Sequence, residues 1–383
     1  MKKYKLGELV NVKRGMSLSG EYYATEGNLI RLTLGNFQEE GGFKINTSKD
    51  DLYFTGPVRE EFVLKEGDII TPLTEQVVGL LGATARIPES NKYIQSGDVA
   101  LIKCISNEID DGYCYYLVSS DLVRRQLSAA AQQTKIRHTS PEKIMDCEVF
   151  IPEVKDQRKI AKLLDSINKK IELNEKINDN LYEQLALYCI HLSTTPTAER
   201  HILSDYCSYA SQKIDSSGLN QSDYVSTDNL LPEKQGIALA KGLPAVCTAT
   251  QCHNADILVS NIRPYLKKIY YCHRDMGCSS DVLCIRTNEE KLAPYIYFCL
   301  RQDTFFDHMM AGSKGTKMPR GDKAQIMRYT IMMPSKDLIE QFIACAEPAM
   351  QQIKHNEEDT HNLLLIRNYL LPMLMSGQAT IAD

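Results

Sequence analysis

The chain has 383 residues, a formal net charge of -5 and a pI near 6.0. With 43% hydrophobic and 24% charged residues its composition is globular, which excludes disordered, collagen-like and mucin-like classes. The length suits two domains or three, and the negative balance gives no global positive field, so a nucleic-acid role needs local basic patches or basic partners.

The opening MKKYKLGELV places lysines before no apolar run of secretory-signal length. No stretch of about 18 apolar residues offers a membrane span. The 12 scattered cysteines are therefore expected to be reduced thiols, and the expected compartment is the cytoplasm. Strands are predicted near Asn28–Leu34, Asp68–Leu73 and Asp98–Ile105, from alternation of β-branched and polar residues. DGYCYYLVSSDLVRRQL then reads as one helix, with Tyr115, Leu122 and Leu127 on or near one face, and a short strand, Cys147–Pro152, closes on proline.

Val154–His191 follows, with no Gly or Pro over 38 residues. Ile160, Leu164, Ile167, Ile171, Leu181 and Leu185 fall at four- and three-residue spacing, with Asn174 and Asn178 filling the middle, a heptad seam with a polar centre. Such a helix would be about 55 Å long. The polar stretch Ser193–Thr197 reads as a hinge. Strands are predicted again near Val246–Thr250, Asp256–Ile262, Lys267–Cys272 and Asp281–Ile285, then a helix over APYIYFCLRQDTFFDHMM and a strand Tyr329–Pro334. A second long helix is predicted over Lys336–Leu371, its stripe formed by Phe342, Ala346, Ala349, Ile353, Thr360, Leu363, Leu370 and Leu374 around a polar Asn356. Pro348 is expected to kink it, Pro372 to bend its last turn and Gly377 to end it. Each stripe needs a partner. Packing the two helices against each other, antiparallel, is the economical solution; packing on their own domains or in a dimer is the alternative.

The chain repeats itself at an offset of 182: Tyr113/Tyr295, Tyr115/Tyr297, Asp121/Asp303, Thr134/Thr316, Lys135/Lys317, Ile144/Ile326 and Pro152/Pro334. Upstream the offset drifts while the order holds, as Gly67-Asp68-Ile69-Ile70 against Ala255-Asp256-Ile257-Leu258, and Ser96–Ile102 against Ser279–Ile285. The predicted fold class is therefore α/β of the α+β type: two tandem mixed α/β units, each followed by a long helix.

No catalytic residue set is read. There is no Asn/Asp-Pro-Pro-Tyr/Phe loop, no G-x-G-x-x-G, no G-x-S-x-G, and Gly312-Ser313-Lys314-Gly315-Thr316-Lys317 lacks the spacing of a phosphate loop. No metal site is read either: Cys247, Cys252, Cys272, Cys278 and Cys284 contain no C-x-x-C pair, Cys272 and Cys284 sit in apolar strand patterns, and His253 and His273 read as surface or loop residues. Local positive charge remains. Gln132, Gln133, Lys135, Arg137 and His138 in the first unit, and Lys314, Lys317 and Arg320 in the second, are positioned to meet phosphates and base edges of DNA, with Arg263, Lys267 and Lys268 as a further patch. Solvated loop charge is the competing reading.

The arrangement resembles the specificity subunit of a type I DNA restriction–modification system. The resemblance rests on Phe150-Ile151-Pro152 with Asp156-Gln157 and Ile160-Ala161; on Met333-Pro334 with Glu340-Gln341; on Tyr369–Gln378; on Asp256–Pro264; and on Lys5–Leu9 with its variant Ile202–Tyr206. GDIITPLTEQVVG departs from the usual strand and Arg-rich loop, which makes Thr74 and Gln76 poor DNA contacts, and Asp156 stands where a glutamate is usual.

The resemblance implies target recognition domains at 1–152 and 199–334, spacer helices at 153–192 and 335–376, a linker at 193–198 and a tail at 377–383. It implies an antiparallel coiled coil with pseudo-twofold symmetry, acting as a spacer between two half-sites of double-stranded DNA. The implied partners are two methyltransferase subunits and the endonuclease–translocase subunits, with no membrane. S-adenosylmethionine, ATP and Mg would be bound by those partners and no cofactor by this chain, which would not be an enzyme by itself. Alternatives are a stand-alone DNA-binding or regulatory protein of the same fold, a divergent enzyme, or a scaffold with no DNA role.

Overall fold

The structure is a computed structural model that describes residues 1–38, 41–46, 49–76, 79–130, 137–243, 248–315 and 317–381. Among the described residues no helix is long and apolar enough to cross a membrane. The chain divides into two compact units, residues 1–171 with 361–383, and residues 172–360.

In the first unit Lys2–Lys5 pairs antiparallel with Glu148–Ile151, joining the start of the unit to the strand that leads into the first long helix. An antiparallel sheet follows in the order Val10–Arg14, Val99–Cys104, Ile69–Pro72, Ala85–Arg86. A second sheet runs Tyr23–Ala24, Tyr53–Phe54, Ile30–Arg31, Tyr93–Ile94, its last pair parallel. The second unit repeats the terminal strand pair and the first sheet, while in its second sheet the two strands of the parallel pair exchange places. Glu199–Ile202 pairs with Thr330–Met333; one sheet runs Cys207–Tyr209, Val282–Thr287, Ile257–Ser260, Ile269–Tyr271; the other runs Lys213–Asp215, Thr248–Cys252, Met276–Cys278, Tyr224–Val225, again with a parallel last pair.

The duplication reaches individual side chains. Asp68 accepts from the Lys65 N–H and pairs with Lys103 on the neighbouring strand. Its counterpart Asp256 accepts from the His253 N–H and pairs with Arg286 at 2.6 Å. A carboxylate almost withdrawn from water, with both an amide and a cation as partners, is the tolerable form of buried charge.

Two predicted helices are split. Asp111–Val118 and Asp121–Ala130 are separate, as are Ala293–Leu300 and Asp303–Ala311. In the first unit the Ser119 and Ser120 hydroxyls donate to the carbonyls of Tyr115, Tyr116 and Leu117, competing for the acceptors of a continuing helix. The break turns Leu122 outward, 39% exposed, while Leu127 stays buried. The predicted strand Asn28–Leu34 is only Ile30–Arg31, because Leu34–Asn36 turns into a 3-10 helix.

The long helices span Val154–Ser193 and Lys336–Ser376. Pro348 and Pro372 both lie inside the second helix, which continues until Gly377 takes φ +73. Leu374 and Met375 pack in the core of the first unit, which holds the last turn helical past a proline that lacks an N–H. Within the second unit the helices run antiparallel: Asn174 Nδ2 donates to Asp359 at 2.8 Å and to Thr360 at 3.3 Å, and Asn356 Nδ2 donates to Asn178 at 2.8 Å. Within the first unit Arg367 donates to Asn168 at 3.2 Å in the same antiparallel register. Ile160, Leu164, Ile167, Ile171 and Leu185 are buried, as are Phe342, Ala346 and Ile353, while Leu181, Ala349, Leu363 and Leu370 are half-buried.

Each helix also packs on its own globular unit. Gln157, fully buried, accepts from the Asp110 N–H and donates to the carbonyls of Glu108 and Pro152. That bond set locks the first turns of the first helix to the first unit. In the second unit Tyr182, Leu185, Cys189 and Leu192 share one core with Phe342, Ala346 and the helix Ala293–Leu300.

Candidate nucleic-acid interface

In the second unit the strand Ile257–Ser260 leads into Asn261-Ile262-Arg263-Pro264-Tyr265-Leu266-Lys267-Lys268. This loop is stitched to Pro319-Arg320-Gly321. The Gly321 N–H donates to the Asn261 carbonyl at 3.1 Å, and the Arg263 N–H donates to the Pro319 carbonyl at 2.8 Å. Lys314 and Arg320 exchange both backbone bonds at 3.0 Å, which pins these two residues side by side. A Cβ at Gly321 would approach Asn261 Oδ1 to 3.0 Å and Ile326 Cδ1 to 2.9 Å, so the close approach favours glycine there.

Pro264–Leu266 forms a single 3-10 turn, flanked by Arg263 at φ 52 and Lys267 at φ 51. Glu233 and Lys234, at φ 53 and 62, dock on it through N–H bonds to the carbonyls of Leu266 and Lys267. Four left-handed residues that are not glycine thus meet at one place, each strained by about 1–3 kcal/mol. Asp303, at the start of the helix Asp303–Ala311, holds the arrangement by accepting from Lys234 at 2.5 Å and from Lys267 at 2.9 Å. These two ammonium groups hold its carboxyl below the usual carboxylate range.

The predicted basic residues divide accordingly. Lys267 is bound to Asp303, and Lys268 donates to the Thr227 carbonyl while burial pulls its pKa down. Arg263 is exposed and its guanidinium has no hydrogen bond or ion pair with a described residue. Lys314 and Lys317 are exposed, with Lys314 3.9 Å from Asp322, and Arg320 reaches Asp281 at 3.2 Å while staying 57% exposed. Among them stand two apolar side chains that the residue pattern did not single out, Tyr265 and Met318, 49% and 48% exposed. The signal was present: an aromatic interleaved with cations in Arg-Pro-Tyr-Leu-Lys-Lys.

The first unit uses the same frame with a different charge. Thr74–Glu75 pairs antiparallel with Arg137–His138, and the Thr139 N–H donates to the Leu73 carbonyl at 2.8 Å. Counting from the aligned strands, which start at Ile69 and Ile257, Glu75 occupies the position of Arg263. Its carboxylate is buried; one oxygen lies 2.8 Å from Arg137 and the other accepts from the N–H groups of Gly79, Leu80 and Leu81 at 2.8–3.0 Å. Arg137 also donates to the Ser128 carbonyl and hydroxyl, so its head is engaged inside the unit, while His138 is exposed. Gln132, Gln133, Lys135 and Thr134, together with Thr316, Val246 and Cys247, lie outside the described residues.

His273 departs from the surface placement expected of it. It is buried against Tyr270 and Tyr271, and that burial pushes its pKa down to about 3, so it packs as a neutral ring. Cys252, Cys272, Cys278 and Cys284 are buried in the same apolar core. His253 is partly exposed, near Asp275.

A duplicated mixed α/β unit, followed in each copy by a long helix, the two helices antiparallel, defines the fold. Residues 1–183 match the type I restriction modification DNA specificity domain. The type I restriction enzyme MjaVIII specificity subunit of Methanocaldococcus jannaschii is 25% identical over 124 residues, 32% of this chain and 29% of the relative's own length. Among solved structures, the S subunit of a type-I restriction-modification system from M. genitalium superposes with a TM-score of 0.62 at 15% identity, covering 98% of this chain and 96% of that one, a likeness of fold.

Proposed function

We propose that this chain is the specificity subunit of a type I restriction–modification complex, reading a bipartite, asymmetric DNA site with one half-site per α/β unit. The observation that carries this reading is the duplication of a unit whose matching loops, 73–75 with 137–139 and 261–263 with 319–321, occupy the same place in both copies. Exposed cations there would meet phosphates, and exposed Arg, His and aromatic groups would meet base edges. The paired long helices would set the number of unread base pairs between the half-sites.

Two methyltransferase subunits would dock on the helices and bring S-adenosylmethionine. They would flip the target adenine out of the stack and methylate it. Endonuclease–translocase subunits would add ATP- and Mg-dependent translocation and cleavage. Apolar side chains exposed on the helices, Leu173, Ile177, Leu187 and Ile190 in the second unit and Leu365, Ile366 and Tyr369 in the first, support such docking.

The test is to co-express the chain with its methylating subunit and map methylated adenines genome-wide. A bipartite motif is expected. Exchanging residues 1–152 should change one half only, and a helical turn inserted after Leu173, with a matching turn in the second helix, should change the gap. Methylated positions that stay the same under both edits defeat the proposal.

A further inference from the structure

The turn Arg263–Lys267 is built at the expense of its own backbone. Arg263 and Lys267 are left-handed, and so are Glu233 and Lys234, which brace the turn from below by N–H bonds to Leu266 and Lys267. Pro264 is buried and fixes the first turn position, while Asp303 ties Lys234 to Lys267. Strain of this kind persists where the surroundings over-determine it, and it gathers where a side chain must be presented in one orientation.

What the turn presents is Tyr265, 49% exposed at its apex, its hydroxyl bonded to no described residue, with the exposed Arg263 two positions before it. Across the stitched strands stands Met318, 48% exposed. Lys314, Lys317 and Arg320 are exposed on the adjoining loop. An isolated surface tyrosine needs no account. A half-exposed tyrosine on a rigid, strained turn rimmed by cations is poorly explained as packing, because about half of it stays exposed and its hydroxyl bonds to none of the described residues.

We infer that Tyr265 and Arg263 are specificity-determining residues of the second unit: Tyr265 makes apolar contact with a base, and Arg263 donates to the base edge beside it. This rests on the reading under Proposed function and sharpens it. Lys314, Lys317 and Arg320 then serve phosphates, which position the duplex without reading it. A tyrosine ring carries apolar area at low conformational cost and suits a thymine methyl or a partly unstacked step, whereas a guanidinium without a partner among the described residues suits the paired acceptors of guanine. In the first unit Glu75 occupies the place of Arg263 and is buried, so the two units would present different chemistry from one frame.

The experiment uses the full chain assembled with its methylating subunits and a panel of duplexes, each carrying one base-pair substitution in the mapped site. The half read by the second unit is assigned by exchanging residues 199–334. In Tyr265→Ala, discrimination at one position of that half should fall from about tenfold to a hundredfold to less than about threefold, with the other half and the gap unchanged. Tyr265→Phe should keep the motif. Tyr265→Thr serves as a second truncation should the alanine variant assemble poorly. Lys317→Ala should weaken all duplexes alike and lower the salt slope by about one. An undiminished motif in the Tyr265 truncations overturns the inference while leaving the specificity reading in place. A wild-type complex that yields no bipartite motif overturns both.

Discussion

Glu75→Gln removes one charge from the centre of the first unit's loop frame. The carboxylate is 2% exposed, pairs with Arg137 at 2.8 Å and accepts three loop N–H groups at 2.8–3.0 Å. Removing one partner of a buried pair destabilises by about 3–5 kcal/mol, because the other charge stays behind. The Arg137 side chain retains 17% exposure and keeps its Ser128 acceptors, which places the loss near the lower end. The carboxamide turns one oxygen acceptor into a donor, and weakening of the loop bonds adds about 1 kcal/mol. The expected total is about 3–4 kcal/mol, read from urea unfolding of the full chain. Hydrogen exchange should locate it: the amides of Gly79, Leu80 and Leu81 should lose about a hundredfold in protection, while the second unit keeps its own. Arg137→Met in the Glu75→Gln background should recover part of the loss, giving a coupling energy of about 2 kcal/mol. A variant within about 1 kcal/mol of wild type with those amides still protected would refute the claim that this pair organises the loop.

Two further outcomes test the packing of the second unit. Burial raises the Glu357 carboxyl to about 7, against the opposing effects of the Tyr270 hydroxyl, which donates to it at 3.1 Å, and of Arg274. A folded pKa above the unfolded value of 4.5 means that the folded state holds the proton more tightly. The corresponding stability, about 3 kcal/mol, is complete below the unfolded value and disappears as pH rises through about 7. Glu357→Gln should flatten that dependence in unfolding measured from about pH 5 to 8, and an unaltered slope would assign the titration elsewhere. Phe342, fully buried with ring centroids 5.4 Å from Tyr188, 5.4 Å from Tyr295 and 6.0 Å from Phe298, should lose about 3–5 kcal/mol as Phe342→Ala; a loss under about 1 kcal/mol would show that the long helix is not part of that core.

The amino-acid pattern determined the duplication and the two long helices, because both depend on periodic, local information. A heptad seam from Ile160 to Leu185 declares a helix whatever it packs on, and Asn174 in this helix and Asn356 in the second mark the polar centres before their partners are known. Helix ends were less legible: Pro372 signals a bend, yet burial of Leu374 and Met375 carries the helix to Ser376. The tertiary structure alone decided which cations face outward. Arg263, Lys267, Lys268 and Arg137 look alike as letters, but Asp303, the Thr227 carbonyl and Glu75 engage the last three from distant parts of the chain. Tyr265 was hidden for the same reason. An aromatic's exposure depends on left-handed backbone at its neighbours and on loops more than 30 residues away in the chain, and no local periodicity encodes either.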